Sequence, residues 1–206
     1  MSLKQHMISQ FGRPRGIGGR VSGWVMAHRS SNRRRNLWVV SLLGIQPTDR
    51  VLEVGFGPGV AIRQVARLAG RVYGVDHSEL MVRRVRRYVS DVVCASVADL
   101  PDFGAPLDVV YSVNSIGFWP QPVERLRELR DALRPGGRIA LATQPRMPGV
   151  TTEQAAQQLR DLLAAAGFVN ARTEILDLSP AVACVIAVSP SGPGESPAFG
   201  TPGPLV

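Results

Sequence analysis

Val51-Leu52-Glu53-Val54-Gly55-Phe56-Gly57-Pro58-Gly59 is the stretch whose reading decides the fold. A short apolar run passes into three alternating glycines, and a helical pattern follows over about 60–68. The run has the length and content of a buried strand, and the glycines let the backbone turn where a Cβ would obstruct it. The helix after such a turn aims free N–H groups and the positive end of its dipole at whatever lies above it. The stretch therefore predicts a strongly polar ligand held close to the main chain.

The details narrow the ligand. A dinucleotide fingerprint, G-x-G-x-x-G, needs glycine at 55, 57 and 60, but position 60 is Val and the third glycine comes early, at Gly59. Glu53 lies inside the strand, where a carboxylate is costly unless it meets donors or a cation. Pyrophosphate suits it poorly and a ligand bearing an ammonium suits it well. Strand, acidic residue and G-x-G-x-G turn together resemble motif I of the class I S-adenosylmethionine (SAM) methyltransferases, in their small-molecule branch.

Composition sets the frame. With 206 residues and 45% hydrophobic content, the chain is expected to form one domain with a full core. Its longest apolar runs, such as 181–188, are too short to cross a bilayer, and the first residues lack the apolar core of a signal peptide. No membrane span and a cytoplasmic location are the expectation. Cys94 and Cys184 each lie in an apolar strand-like run, which predicts buried, reduced packing residues and no metal site. Eight basic residues precede Asp49, the first acidic one, and the net charge is +8. The excess charge thus belongs to the N-terminal segment, either as a solvated arm of an arginine-rich sequence or as a contact for nucleic acid or a membrane surface.

Residues 1–19 read as a flexible basic segment and 189–206 as a disordered tail rich in Pro, Gly and Ser, with one domain over 20–188. Helical character over 20–44, broken or capped at Ser31 or Asn32, predicts two short helices. Arg71–Asp76 reads as a second strand, and its terminal Asp76 comes 17 residues after Gly59, where an α/β nucleotide site places the acid that accepts both ribose hydroxyls. A helix over 79–89 turns four arginines outward, a third strand covers 91–97, and Leu107–Val113 forms a fourth. A helix over 122–133 leads through Arg134-Pro135-Gly136-Gly137 to a strand at 138–143. A helix over 152–166 closed by Gly167, and strands 171–178 and 181–188 joined at Ser179-Pro180, complete the pattern.

The resemblance recurs at the third strand, the fourth strand and the Leu-Arg-Pro-Gly-Gly turn. It implies a Rossmann-like α/β fold: a seven-stranded, mostly parallel sheet with helices on both faces and a C-terminal antiparallel hairpin. It implies SAM as cofactor, with Glu53 and the Gly55, Phe56, Gly57 and Gly59 turn at the methionine part. Asp76 and His77 would meet the ribose side, Asp99 and the Leu100 amide the adenine, and Asn114 would line the cleft beside the sulfonium. It also implies that 20–44 forms a lid. Phe118 and Trp119 would face the sulfonium, hold an apolar substrate, or pack beneath that lid. His28, His77 and Tyr111 are the candidate bases, and none is assigned. The expected activity is methyl transfer to a small apolar or aromatic metabolite. An rRNA or tRNA methyltransferase using the basic arm is the alternative, and an NAD(P)-binding oxidoreductase is disfavoured by Val60 and Glu53. The Asn/Asp-Pro-Pro-Tyr/Phe signature of nucleobase N-methylation is absent.

Overall fold

The computed structural model describes residues 30–147 and 149–191. The expectations for 1–19, for 20–29 and for the tail from 192 onward lie outside the described residues, as does His28.

Strands β1 (Arg50–Val54), β2 (Arg71–Asp76), β3 (Val92–Cys94), β4 (Leu107–Val113), β5 (Leu133–Thr143), β6 (Val169–Leu176) and β7 (Val182–Val188) form one seven-stranded sheet in the order β3-β2-β1-β4-β5-β7-β6. The first five strands run parallel, β7 is antiparallel to β5, and β6 to β7. This is the mostly parallel sheet with a terminal hairpin that the sequence predicts. The chain order reverses at β1, with β2 and β3 on one side and β4 on the other. Open α/β sheets bind ligands at the carboxyl ends of the strands beside such a point.

Alternation along each strand divides the core. Val51, Val109, Tyr111, Ala140 and Cys184 turn to the face covered by α1 (Ser30–Leu42), α2 (Val60–Val65) and α3 (Glu79–Val85). Leu52, Val110, Ile139, Leu141 and Val185 turn to the face covered by α4 (Pro122–Ala132) and α5 (Thr152–Ala165). Strands covered on both faces read as unbroken apolar runs, and every residue of β7 is buried. Among the described residues no helix is long and apolar enough to cross a membrane.

The structure corrects several sequence expectations. No break occurs at Ser31 or Asn32, because α1 runs through both. Asn32 serves the helix itself, its carbonyl and side-chain oxygens accepting from the Asn36 side chain and its amide oxygen also accepting from Arg35. Helices α2 and α3 stop at Val65 and Val85 and continue only as turns. The third strand shrinks to three residues, and at this sheet edge Cys94 is exposed, its thiol 3.6 Å from the His77 carbonyl; Cys184 is buried as expected. Strand β5 starts at Leu133, which pairs with Leu107, and the next pair is Val109 with Arg138. The Arg-Pro-Gly-Gly segment thus loops out of the ladder, with Gly136 at φ 72°. Ser189, assigned to the tail, is still paired: its amide donates to the Gly137 carbonyl and its carbonyl accepts from Gly136.

Candidate active site

The glycine turn sits at the end of β1 with all three glycines left-handed, at φ 76°, 50° and 80° for Gly55, Gly57 and Gly59. A Cβ on Gly55 would lie 2.4 Å from the Ser115 Cβ, and one on Gly59 would lie 2.5 Å from Val85 Cγ2. Close packing against β4's loop and α3 therefore requires glycine at both positions. Gly57 differs: among the described residues nothing lies within 4 Å of its would-be Cβ, so it borders open space there. Phe56 turns the other way. Its ring is buried in the core against Gly74, which leaves its backbone as the part that can meet a ligand at the turn.

Glu53 meets the donors that a carboxylate inside a strand needs, and it meets them in the interior of the sheet. Its side chain does not reach an open strand end; it is 1% exposed and faces inward beneath α2. Tyr111, its partner in the β1–β4 ladder, donates its hydroxyl to Glu53 Oε2 at 2.6 Å. On the other side the ladder partner is Gly74, where a Cβ would collide with Ile62, Phe56 and Val92. Burial pushes Glu53 up to about 8, against the Tyr111 hydroxyl and the Ile62 amide, which hold it down; the nearby Asp76 pushes it further up. The same burial raises the Tyr111 phenol well above its ordinary value, with Glu53 adding to the rise. Tyr111 is a donor to Glu53 here and is not poised as a base.

Asp76 ends β2 one strand away. Its Oδ2 accepts from the Gly57 amide at 2.8 Å and its Oδ1 from the Ser78 amide at 2.9 Å. Burial raises its pKa, while those two amides and His77 oppose the rise. Each oxygen keeps acceptor capacity for a hydroxyl, and the carboxylate holds the glycine turn in place. His77 is exposed beside it.

Asp99 and Leu100 are not brought to this edge. Cys94 is level with Asp76, and the Ala95 amide donates to the Asp76 carbonyl. Ser96 and Val97 come next, and a turn in which the Asp99 amide donates to Ser96 then carries the chain down the α4 face. Asp99 is exposed and lines a cavity of about 540 Å³ with Leu100, Pro106, Glu128, Asp131 and Ala132, which borders the amino ends of β4 and β5. Ser96 is the polar side chain nearest the strand end. The signal for it was the strand's own length, since the residue two past Cys94 stays at the edge and the residue five past it does not.

Beyond β4, Asn114 adopts φ 58°, a conformation Asn tolerates better than most residues. Its Oδ1 accepts from the Gln144 amide at 2.7 Å, tying the ends of β4 and β5 together, and its buried Nδ2 has no partner. Ser115 donates to the Val54 carbonyl and accepts from the Trp119 indole. Trp119 is accordingly a packing residue, while Phe118 stands 63% exposed. Helix α1 spans the same face from edge to edge: Arg35 reaches Gln144 past the end of β5, and the carbonyl of Leu43, just after the helix, accepts from Arg138 near the strand's start. Arg35 and Gln144 are site residues that the sequence reading missed.

A left-handed glycine turn bordering open space, a carboxylate beside it and an unpaired amide across from it fit a nucleoside-bearing polar ligand at the carboxyl ends of β1, β2 and β4. The pattern of the family described as "Methyltransferase domain" matches residues 51–137, from β1 to the loop within β5. The chain is similar to the uncharacterized methyltransferase YdaC of Bacillus subtilis, 30% identical over an aligned length of 181 residues, with 83% of this chain and 99% of that protein covered. It is 34% identical over 112 residues to the 27-O-demethylrifamycin SV methyltransferase of Amycolatopsis mediterranei, a match covering half of this chain and 41% of that one. In structure it resembles the magnesium protoporphyrin IX methyltransferase of Synechocystis PCC 6803 with bound S-adenosylhomocysteine (SAH), at TM-score 0.65 and 19% identity over 90% of this chain and 99% of that one, a likeness of fold. The chain belongs to the class I methyltransferases, enzymes that use S-adenosylmethionine as their methyl donor.

Proposed function

We propose that this enzyme transfers a methyl group to a small apolar or aromatic acceptor bound over the carboxyl ends of β4 and β5. The observation that carries the reading is a pair of large apolar side chains: Phe118 is 63% and Met147 73% exposed, on the segments that follow these two strands. Asn114 and Gln144 bind those segments to each other at their bases. Large exposed apolar groups at one rim mark a place for an apolar ligand. The match to a methyltransferase named for a demethylated rifamycin supports a small-molecule acceptor.

In this reading the backbone of Gly55–Gly59 cradles the methionine part of the donor, Asp76 accepts the ribose hydroxyls with His77 beside it, and Ser96 and Val97 border the adenine. Asn114 offers its unpaired amide near the reacting atoms. The sulfonium supplies an already activated methyl carbon, so the protein's contribution is alignment and exclusion of water. Helix α1 covers the edge.

Methyl transfer from labelled SAM to a panel of phenols, quinones, quinolones and rRNA tests the reading. Labelling of an apolar small molecule, with a KM for it that rises in Phe118→Ala and Met147→Ala while SAM affinity stays unchanged, is the supporting result. Labelling confined to rRNA would replace this reading with the nucleic-acid one.

A further inference from the structure

Arg35 stands apart from the other arginines of the fold. It is 4% exposed, yet its two polar contacts among the described residues are neutral amides: Nη1 donates to Gln144 Oε1 at 2.5 Å and Nη2 to Asn32 Oδ1. Its Nε has no partner. Better solvated arginines do have carboxylates, as Arg138 has Asp49 and Arg134 has Asp108. Among the described residues no carboxylate lies within ion-pair reach of Arg35. Among the described residues the charged neighbour that acts on it is Arg146, of the same sign; burial first and Arg146 second lower its pKa to about 10, which leaves it charged at neutral pH.

The rest of the chain offers little remedy. Residues 1–29 contain no Asp or Glu, and the remaining residues outside the described ones contain a single acid, Glu195. A buried guanidinium without a counterion is costly, and arginine does not escape the cost by losing its proton. Gln144 also ties this charge to the second unpaired donor, because its amide is the group that occupies Asn114 Oδ1 and leaves Asn114 Nδ2 free. A cation and two unpaired N–H donors therefore flank Gln144 at the carboxyl edge. Few donors remain open, which matches a planar monoanion better than a phosphate with its many acceptor sites.

We propose that Arg35, with the Asn114 amide and the charge of Arg146, forms a carboxylate-binding subsite at the carboxyl ends of β4 and β5. The proposal rests on the SAM-dependent reading of that edge. Two ligands carry such a group: the amino-acid end of the donor and an acidic methyl acceptor.

Calorimetry with SAH, with decarboxylated SAH and with benzoate separates them. If the donor supplies the carboxylate, the wild type prefers SAH over its decarboxylated form, and Arg35→Met weakens SAH about ten- to a hundredfold while barely changing the decarboxylated form. If the acceptor supplies it, SAH affinity is unchanged and benzoate binding to the SAH complex is lost in Arg35→Met. Arg146→Gln, at an exposed position, keeps the fold and weakens the same ligand by less. Equal wild-type affinity for both forms of SAH together with no benzoate binding overturns the proposal, whether or not Arg35→Met folds. So does tighter carboxylate binding in Glu195→Gln, which would make that residue the native counterion. A wild type that binds neither form of SAH refutes the SAM-dependent reading instead; benzoate binding to the enzyme alone, lost in Arg35→Met, then still supports the subsite, and its absence overturns it.

Discussion

The hydroxyl of Tyr111 donates to the carboxyl of Glu53 at 2.6 Å across the β1–β4 ladder, with both side chains buried beneath α2. An acid in the strand before the glycine turn is thus part of the sheet's interior. It joins β1 to β4 and, through the Ile62 amide, to the helix that follows the turn.

This burial predicts a pH dependence of stability. The folded-state pKa of Glu53, pushed up to about 8, lies above its ordinary value of 4.5. The folded state therefore holds the proton more tightly, so the stabilisation is full below the ordinary value and is lost as pH rises through about 8. Melting temperatures of the protein without ligand should fall across that window, and Glu53→Gln should flatten the fall. An equal fall in both proteins would contradict the assignment. Tyr111→Phe leaves the buried acid without its hydroxyl donor and should cost about 1–3 kcal/mol in chemical denaturation.

The three glycines should separate into two kinds. Gly55→Ala and Gly59→Ala add a Cβ at 2.4 Å from Ser115 and 2.5 Å from Val85, at left-handed backbone positions. Each should destabilise the fold by about 2–5 kcal/mol. Gly57→Ala meets no atom of the described residues within 4 Å and should cost only the backbone strain, about 1–2 kcal/mol, yet it places a methyl group where we propose that the donor lies. Denaturant melts and SAH titrations of the three variants test this; an affinity for SAH unaffected by Gly57→Ala would put the ligand elsewhere.

The β3 edge gives a further contrast. Asp99 opens on the cavity near the amino ends of β4 and β5, so Asp99→Asn should leave the SAH dissociation constant within about twofold, the range of an exposed substitution with no ligand contact. Ser96→Tyr, which fills the space beside the end of β3, should weaken SAH strongly while leaving the far-ultraviolet circular dichroism unchanged. The reverse pattern would restore Asp99 to the adenine.

Strands β2 and β4 could be read residue by residue, because each is an apolar run with both faces covered and clear punctuation around it. The start of β5 could not, since the looped-out Arg-Pro-Gly-Gly segment hides the Leu133 pairing behind turn residues. The helix expected over 79–89 closes at Val85, and its last residues continue it only as turns. Glu53 was singled out by its cost and by the motif it helps to form; its partner Tyr111 lies 58 positions away and appears only when β1 and β4 are neighbours. Asp99 was chosen because a carboxylate suits an amino group, whereas the short β3 leaves the less conspicuous Ser96 at the edge. Arg35 was one of eight N-terminal charges read as a solvated arm or as a contact for nucleic acid or a membrane surface, and only the packing of α1 shows that it is enclosed.

Calorimetric titration of SAM and of NAD(P) into the wild type and Asp76→Ala tests the central claim most directly, that the carboxyl edge around Gly57 and Asp76 holds the methyl donor. The account predicts one SAM site in the wild type, a loss of affinity of about tenfold or more in Asp76→Ala, and no NAD(P) binding. Absence of SAM binding up to millimolar concentration, or SAM affinity indifferent to Asp76, would contradict it.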